Sequence, residues 1–254
     1  MKVAAVVVSH GQPEELSRCL AALAPQVDEV VVVANLPGSV PAELPRGARV
    51  LESDRPRGYG ANVNAGAAAA SAEAVVAANP DAVARPGAVA ALVAIMEARP
   101  RCGIAGPQLL YPGGEWQPSR RRFPTVLGTL VRRTPLRWLF DPKRAQRRHY
   151  LLDERPAEPM EADWMLGAFL LLRREMLEEL GGFDEGFRLY GEDIDLCYRA
   201  ARAGWERWYV PAAVVEHAYA AEIDRRFLTR RTLWHVRGML RFVRKHPERL
   251  RALV

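Results

Sequence analysis

The stretch that decides the fold is Val3-Ala4-Ala5-Val6-Val7-Val8-Ser9, followed closely by Pro13-Glu14-Glu15. A run that stays apolar up to its final serine predicts a strand buried on both faces. The proline and the two acids predict the first turn of a helix with an apolar face. A second apolar run at 29–33 completes a strand-helix-strand unit, which is typical of a parallel sheet covered by helices.

The same alternation continues over the first hundred residues. Residues 49–52 predict a third strand, 58–70 an alanine-rich helix, 74–78 a fourth strand and 86–99 another helix. This pattern predicts an α/β fold with a doubly wound, mainly parallel sheet, which binds its ligands at the carboxyl ends of the strands.

The second half of the chain is less regular. Residues 111–160 are rich in Pro, Gly and Arg and predict an excursion from the sheet. Order returns with a predicted strand at Asp163–Arg173, a helix up to Leu180, a helix at Asp193–Ala203, a strand at Glu206–Val210 and a basic helical tail. We therefore divide one overall domain into segments 1–110, 111–160, 161–222 and 223–254.

Composition restricts the class of protein. No apolar run reaches the ~20 residues of a membrane-spanning helix, and the apolar start of the chain predicts a strand rather than a signal peptide. The cysteines, Cys19, Cys102 and Cys197, are odd in number and lack metal-site spacing, which favours a reducing cytoplasm.

The net charge of +6 is concentrated in the excursion, where residues 120–148 hold ten cations and one acid. This basic segment predicts either an anionic partner (phosphate, acidic lipid or nucleic acid) or a solvated surface. Leu136, Trp138, Leu139 and Phe140 lie among its arginines, a mixture that suits contact with anionic lipid, whereas packing of Trp138 and Phe140 on the core is the alternative.

Asp81 follows the fourth strand in Asn79-Pro80-Asp81. A carboxylate at this position can bind Mg²⁺ or Mn²⁺ that shares the phosphates of a substrate, although the tripeptide alone is more often a turn. His217 follows an apolar run and is either a structural residue or a further metal ligand. Arg120-Arg121-Arg122 can bind phosphate or face solvent.

Glu192, Asp193 and Asp195 lie at the start of a short helix, where acids also compensate the helix dipole. Asp193 shares a helical face with the small residues Cys197 and Ala200, so we predict that it is a catalytic base.

Glu192 shares the other face of this helix with Asp195 and Arg199, which predicts a ladder of ion pairs. We therefore assign Glu192 to support of the base or to acceptor binding.

Taken together, the motifs resemble the family 2 glycosyltransferases of the GT-A fold, in particular their rhamnosyltransferase-like branch. The resemblance extends from Val3 to about Ala218. It rests on Val6-Val7-Val8-Ser9-His10, Arg57-Gly58-Tyr59-Gly60-Ala61-Asn62-Val63-Asn64-Ala65-Gly66, Asn79-Pro80-Asp81, Asp163-Trp164-Met165-Leu166-Gly167-Ala168, Gly181-Gly182-Phe183-Asp184-Glu185 and Glu192-Asp193-Ile194-Asp195-Leu196.

The resemblance implies an inverting transfer of a sugar, rhamnose first, from a dTDP- or UDP-sugar to a hydroxyl acceptor during cell-envelope polysaccharide assembly. It implies that Asp81 and His217 bind Mg²⁺ or Mn²⁺, that Asp193 and Glu192 are catalytic, and that Trp164 and Glu192 meet the acceptor. The implied nucleotide-sugar-binding residues are Ser9, Asn35, Asp54, Gly58, Asn64, Gly66, Asp81, Gly167 and Ala168.

The implied partners are the donor and a lipid-linked acceptor, with the protein in the cytoplasm, either free or peripheral on the inner face of the plasma membrane. No nucleic acid is expected, because the arginines lack interleaved aromatic residues of an RNA-binding type. Monomer and homodimer both remain open.

Two departures from the family pattern and two alternative functions accompany this interpretation. Ala34-Asn35 replaces a common Asp-Asn pair, and Ala220-Ala221-Glu222 replaces a Gly/Ser segment. A sugar-nucleotide nucleotidylyltransferase would require a Gly-rich basic loop after the first strand, where this chain has His10-Gly11-Gln12. A transferase-like protein that binds donor without turnover is the other alternative.

Overall fold

A mixed sheet of ten strands organises the chain in the computed structural model, which describes residues 1–124, 151, 154–218 and 230–250. The strands are β1 (Val3–Ser9), β2 (Glu29–Ala34), β3 (Arg49–Glu52), β4 (Ala74–Ala78), β5 (Ala82–Ala84), β6 (Cys102–Leu110), β7 (Trp116–Gln117), β8 (Arg120–Arg121), β9 (Met160–Glu161), β10 (Trp164–Met165), β11 (Phe169–Arg173) and β12 (Glu206–His217). The described helices are α1 (Pro13–Leu23), α2 (Tyr59–Ala69), α3 (Ala88–Ala98), α4 (Arg174–Leu180), α5 (Glu192–Arg202) and α6 (Arg230–Lys245).

The first four strands form the parallel half of the sheet. β1 lies between β2 and β4, and β3 pairs with the outer edge of β2. Alternate residues of β1 enter two different cores: Val6 packs in the same core as Val63 of α2, and Val7 packs in the same core as Leu20 of α1. Because helices cover both faces, every residue of β1 is buried, as the continuous apolar run predicts.

The second half of the chain extends the same sheet. β11 pairs antiparallel with β4 on one side and β6 on the other, and β12 pairs parallel with β6. The strand order is β3-β2-β1-β4-β11-β6-β12-β5. The expected α/β class is confirmed, with the parallel pattern interrupted by β11.

Two predicted strands are wrong in their extent. The segment Asp163–Arg173 is divided by a turn at 166–168: β10 pairs with β8 in a separate two-stranded sheet, whereas β11 enters the large sheet. The strand predicted at Glu206–Val210 continues to His217. Its register shifts between Val210 and Val214, just where Pro211 lacks the N–H that a regular ladder needs.

The basic tail forms α6 and a 3-10 turn at Pro247–Leu250. It docks through Phe242, which is buried, and through the partly buried Met239. Within the described ranges, no helix combines the length and apolar character needed to cross a bilayer. Most of the basic segment, including Leu136, Trp138, Leu139 and Phe140, lies outside the described residues, and so do Ala220-Ala221-Glu222.

Candidate active site

The sheet brings several predicted site residues to one edge. β1, β4, β6 and β12 run in the same direction, so Ser9, Asp81 and His217 lie at their carboxyl ends. β11 runs the opposite way, which places its beginning beside the end of β4: the Asn79 N–H donates to the Ala168 carbonyl at 2.8 Å. The Gly167-Ala168 turn therefore lies beside the Asn79-Pro80-Asp81 turn.

Asp81 and His217 face each other at this edge. His217 Nε2 lies 3.5 Å from Asp81 Oδ1, and both side chains are largely buried. Burial raises the pKa of the Asp81 carboxyl, an effect that His217 opposes, and burial lowers the pKa of His217. Burial thus favours the neutral form of each group.

Gln117 fixes the orientation of the His217 ring. Its Oε1 lies 3.0 Å from His217 Nδ1, so Nδ1 carries the hydrogen and the Nε2 lone pair is directed toward Asp81. This is the arrangement of a histidine ligand whose second nitrogen is held by a neighbouring acceptor.

A divalent cation fits this donor set. Two ligand atoms at about 2.1 Å from one ion lie roughly 3–4 Å apart when they are neighbours in its coordination shell. The carboxylate oxygen and imidazole nitrogen meet that condition at 3.5 Å. Among the described residues no third His, Cys, Asp or Glu joins them, so the remaining ligands would come from substrate phosphate and water.

Asp193 is held by backbone donors at the start of α5. The Gly167 N–H donates to its Oδ2 at 3.1 Å, and the Ile194 N–H donates to its Oδ1 at 2.9 Å. Burial raises the pKa of this carboxyl, and these hydrogen bonds together with Arg121 oppose the increase. A partly exposed carboxylate with a raised pKa and a fixed orientation is suited to accept a proton.

Tyr59 holds the Gly167-Ala168 turn that binds Asp193. Its hydroxyl donates to the Gly167 carbonyl at 2.9 Å, on the same residue whose N–H binds Asp193. Burial first, then the nearby acids Glu192, Asp193 and Asp81, raise the pKa of Tyr59. Tyr59 therefore remains a protonated donor that holds the Gly167 turn.

Glu192 is a buried acid without an ion-pair partner among the described residues. Its Oε2 has no hydrogen-bond partner there, and burial, reinforced by Asp193, raises its pKa to about 8. The predicted ladder is wrong for Glu192, because Arg199 binds Asp195 instead, at 2.7 Å. A carboxyl group whose pKa is raised this far favours its neutral form at neutral pH, and in that form it can donate as well as accept a hydrogen bond.

Asp195 is a structural member of the acidic motif. It is fully buried and accepts from Arg199, from Lys245 at 3.0 Å and from His246 at 2.8 Å. Arg199 also donates to the carbonyls of Leu180 and Gly182. Asp195 therefore joins α5 to the glycine turn and to the C-terminal tail.

We predict that Glu192→Gln reduces the loss of stability at alkaline pH. The native state keeps the Glu192 proton up to a pKa of about 8, whereas the unfolded chain releases it near 4.5, so the free energy of unfolding falls as pH rises between these values. Glutamine has the same shape and cannot ionise. Urea unfolding from pH 5 to 9 should show a flatter decline for the variant, and identical profiles would contradict a neutral Glu192.

The residues expected near the nucleotide form a second group, at the ends of β1 and β2. The Ser9 hydroxyl is buried and donates to the Ser39 carbonyl. The Asn35 amide holds the backbone of Arg57 through two hydrogen bonds, at 2.8 and 3.1 Å. Asp54 is almost fully exposed beside Arg57. These side chains shape the loop before α2, with Asp54 open to solvent.

Two glycines expected in this region are required by close packing. A Cβ on Gly58 would lie 2.4 Å from the Phe187 carbonyl oxygen, and one on Gly66 would lie 2.3 Å from Val6 Cγ1. Gly66 therefore contacts the sheet core, and its part in nucleotide-sugar binding stays a prediction.

Asn64 holds the glycine motif of residues 181–185. Its Oδ1 accepts from the Phe183 N–H at 2.8 Å and its Nδ2 donates to the Phe183 carbonyl at 2.8 Å. Because both ends of this amide bind one residue, Asn64 fixes the chain that leads to α5.

The β8–β10 pair carries the remaining predicted residues. Trp164 is buried and its Nε1 donates to the Arg122 carbonyl at 2.7 Å, while the Arg121 guanidinium lies 5.2 Å from the Trp164 ring centre. Arg120 forms an ion pair with Glu154 at 2.8 Å. Of the three arginines, Arg120 is thus engaged with protein, Arg121 is near enough to Asp193 to lower the pKa of its carboxyl, and Arg122 is exposed.

Sequence reasoning missed Tyr59 and Gln117 as site residues. Tyr59 lies within the motif of residues 57–66 that carries the family resemblance. The sequence gives no sign of its contact with Gly167, 108 residues away. Gln117 lies in an irregular segment with no local signal.

Residues 2–238 match the model of the family described as "Glycosyltransferase like family 2". The chain belongs to this family of glycosyltransferases. Among curated proteins it is 32% identical over 246 residues to the N-acetylglucosaminyl-diphospho-decaprenol L-rhamnosyltransferase of Mycobacterium tuberculosis, covering 87% of this chain and 77% of the relative. It is 40% identical over 81 residues to the rhamnosyltransferase WbbL of Escherichia coli K12, covering 32% of this chain and 30% of the relative.

Solved structures share the fold. GalNAc-T7, crystallised with UDP, GalNAc and Mn²⁺, superposes with a TM-score of 0.70 at 18% identity, over 98% of this chain and 50% of the other. The chain thus spans half the length of that protein. The mannosyltransferase PcManGT from Pyrobaculum calidifontis, with GDP-Man and Mn²⁺, gives 0.54 at 16% identity, over 98% and 72%. The GT-A fold expected from the sequence is confirmed.

Proposed function

We propose that the chain is a metal-dependent, inverting glycosyltransferase that moves rhamnose from a dTDP- or UDP-sugar to a hydroxyl of a lipid-linked acceptor in cell-envelope polysaccharide assembly. The observation that carries the proposal is a short chain of hydrogen bonds between Asp193 and the turn that holds Asp81. The Gly167 N–H donates to Asp193, and the carbonyl of the next residue, Ala168, accepts from Asn79, two residues before the Asp81 that faces His217.

Asp81 Oδ1 and His217 Nε2 would hold Mg²⁺ or Mn²⁺. When bound, the cation stabilises the negative charge that develops on the leaving diphosphate. The Mn²⁺ in two structures of the same fold supports this proposal.

Asp193 would accept the proton of the acceptor hydroxyl as that oxygen attacks the anomeric carbon. Its two oxygens are oriented by the Gly167 and Ile194 N–H groups, so its carboxylate is presented in one direction. A single displacement from the face opposite the diphosphate inverts the anomeric configuration. Glu192, the preceding residue, has its pKa raised to about 8 by burial and by Asp193, and in its neutral form it would donate a hydrogen bond to the acceptor.

The acceptor assignment is supported by a relative whose name specifies an N-acetylglucosaminyl-diphospho-decaprenol substrate. Such an acceptor lies at a membrane surface, which fits a peripheral position of this protein on the cytoplasmic face. Rhamnose as the sugar is supported by the names of two relatives.

A transfer assay tests this function. Purified protein, dTDP-rhamnose, Mn²⁺ and an N-acetylglucosaminyl diphospholipid should yield a rhamnosylated lipid of inverted configuration. Donor binding with neither transfer nor hydrolysis would favour the inactive alternative. Formation of nucleotide sugar from a nucleoside triphosphate and a sugar 1-phosphate would favour a nucleotidylyltransferase.

The nucleotide base gives a separate prediction. We expect dTDP and UDP to bind at least about tenfold more tightly than GDP, because one unsatisfied polar contact costs roughly that factor. Ala34 supplies no carboxylate at the end of β2, so pyrimidine recognition would depend on backbone groups held by Asn35. Calorimetry with Mn²⁺ measures the three affinities, and equal or tighter binding of GDP would contradict the donor class.

A further inference from the structure

The C-terminal helix α6 has an apolar face that no described part of the chain covers. Leu233, Val236 and Leu240 are 48%, 43% and 58% exposed. Their spacing of three and four residues places them on one side of the helix. The structure's large exposed hydrophobic residues, within the described ranges, are these three and Val50 on β3.

The opposite side of α6 is fixed to the protein, so the outward direction of this face is determined. Phe242 is buried in the core. A Cβ on Gly238 would come within 2.3 Å of the Tyr190 carbonyl oxygen, so the helix backbone lies directly against that loop. Asp184 binds Arg241 and Lys245, each at 2.8 Å. This ion-pair cluster and the buried phenylalanine prevent the helix from turning its leucines inward.

The charge of the helix indicates what the outward face can contact. Residues 230–245 contain six Lys or Arg and no acid. Arg237 and Arg244 are exposed, and no ion pair joins either of them to another described residue. Their spacing from Leu233 and Leu240, four residues in each case, places both on the apolar face. The face therefore combines aliphatic side chains with unneutralised guanidinium groups.

We infer that this outward face of α6, formed by Leu233, Val236, Arg237, Leu240 and Arg244, binds an anionic phospholipid surface. Aliphatic side chains enter the headgroup–acyl boundary, while the long arginine side chains beside them reach the lipid phosphates. A second copy of the chain is disfavoured as occupant, because two such faces would bring like charges together without an acid to neutralise them.

The docked helix adjoins the loop that leads to the catalytic carboxylates. The Tyr190 ring lies 5.6 Å from that of His235, and the Arg188 guanidinium lies 5.2 Å from the centre of the Trp234 ring. Tyr190 and Arg188 precede Asp193 by three and five residues. Lipid contact through α6 would hold the acceptor side of the site near the bilayer. The inference itself rests on the helix surface and does not depend on the donor or the acceptor.

Vesicle co-sedimentation of the full chain tests the inference without substrates. We expect binding to vesicles of equimolar phosphatidylglycerol and phosphatidylcholine, and little to phosphatidylcholine alone. Leu233→Gln/Leu240→Gln, and separately Arg237→Gln/Arg244→Gln, should each weaken this binding about tenfold or more. Val50→Gln, which changes an exposed hydrophobic residue on β3, is the matched control and should bind as the wild type does. Thermal melting confirms that each variant is folded.

Three outcomes would overturn the inference. Equal sedimentation with neutral and anionic vesicles would show that the face does not recognise anionic lipid. Binding by both double variants at wild-type strength would assign membrane contact to another segment. Self-association in the absence of lipid, abolished by Leu233→Gln/Leu240→Gln, would identify the face as an interface between two copies. Because no nucleotide is present, failure of the proposed transferase activity leaves this measurement unaffected.

Discussion

Asp193→Asn should lower the rate of sugar transfer by about 10²- to 10⁴-fold, the usual contribution of a general base. In the wild type the Gly167 nitrogen lies 3.1 Å from Asp193 Oδ2. Asparagine keeps the shape of the side chain and one oxygen that can accept this hydrogen bond. It cannot take up the proton of an acceptor hydroxyl at neutral pH. The loss should therefore fall on turnover, with donor affinity unchanged in calorimetry.

The same substitution at Asp28 provides a matched control. Asp28 accepts from the Val3 N–H at 2.8 Å, at the opposite end of β1, so Asp28→Asn tests the cost of losing a carboxylate far from the site. Its turnover should equal that of the wild type. Wild-type turnover in Asp193→Asn would instead assign the base to another group, with Glu192 the next candidate.

Asp81→Ala should weaken Mn²⁺-dependent binding of a nucleoside diphosphate by about 100-fold or more. Loss of a residue that only supports a metal ligand already costs about 10- to 100-fold in metal affinity, and Asp81 is proposed as a ligand itself. The variant should fold, since it removes a buried carboxyl whose pKa is already raised by burial. His217→Ala should reduce the same affinity. In the double variant the two losses in binding free energy should not sum, because each substitution alone already removes the same metal site.

Calorimetry with and without Mn²⁺ separates metal binding from nucleotide binding. Without metal, Asp81→Ala and the wild type should bind UDP equally weakly. Glu216→Ala serves as the control: it adjoins His217 in β12, but its carboxylate pairs with Arg85 at the surface, 2.9 Å away. Undiminished Mn²⁺-dependent affinity in Asp81→Ala would show that the cation is held elsewhere.

The parallel half of the fold was predictable because its signals are local. The run of valines in β1 is buried on both faces, and such a run requires helices above and below it. Placing Asp81 at the ligand-binding edge needed only the rule that parallel sheets bind at their carboxyl ends. The pairing of Asp81 with His217, 136 residues later, came from the family resemblance, and the structure brings the two together.

The sequence by itself determined the βαβ core, the edge at which ligands bind and the short helix that carries the acids. Only the tertiary structure decided which partners each acid contacts. Glu192 and Asp195 lie three residues apart on one helix and are equivalent in any helical pattern. Asp195 meets Arg199, Lys245 and His246, whereas the Glu192 Oε2 has no partner among the described residues. Chain packing rather than residue type therefore gave these two acids different surroundings: Asp195 is held by three side chains, whereas burial raises the pKa of the Glu192 carboxyl.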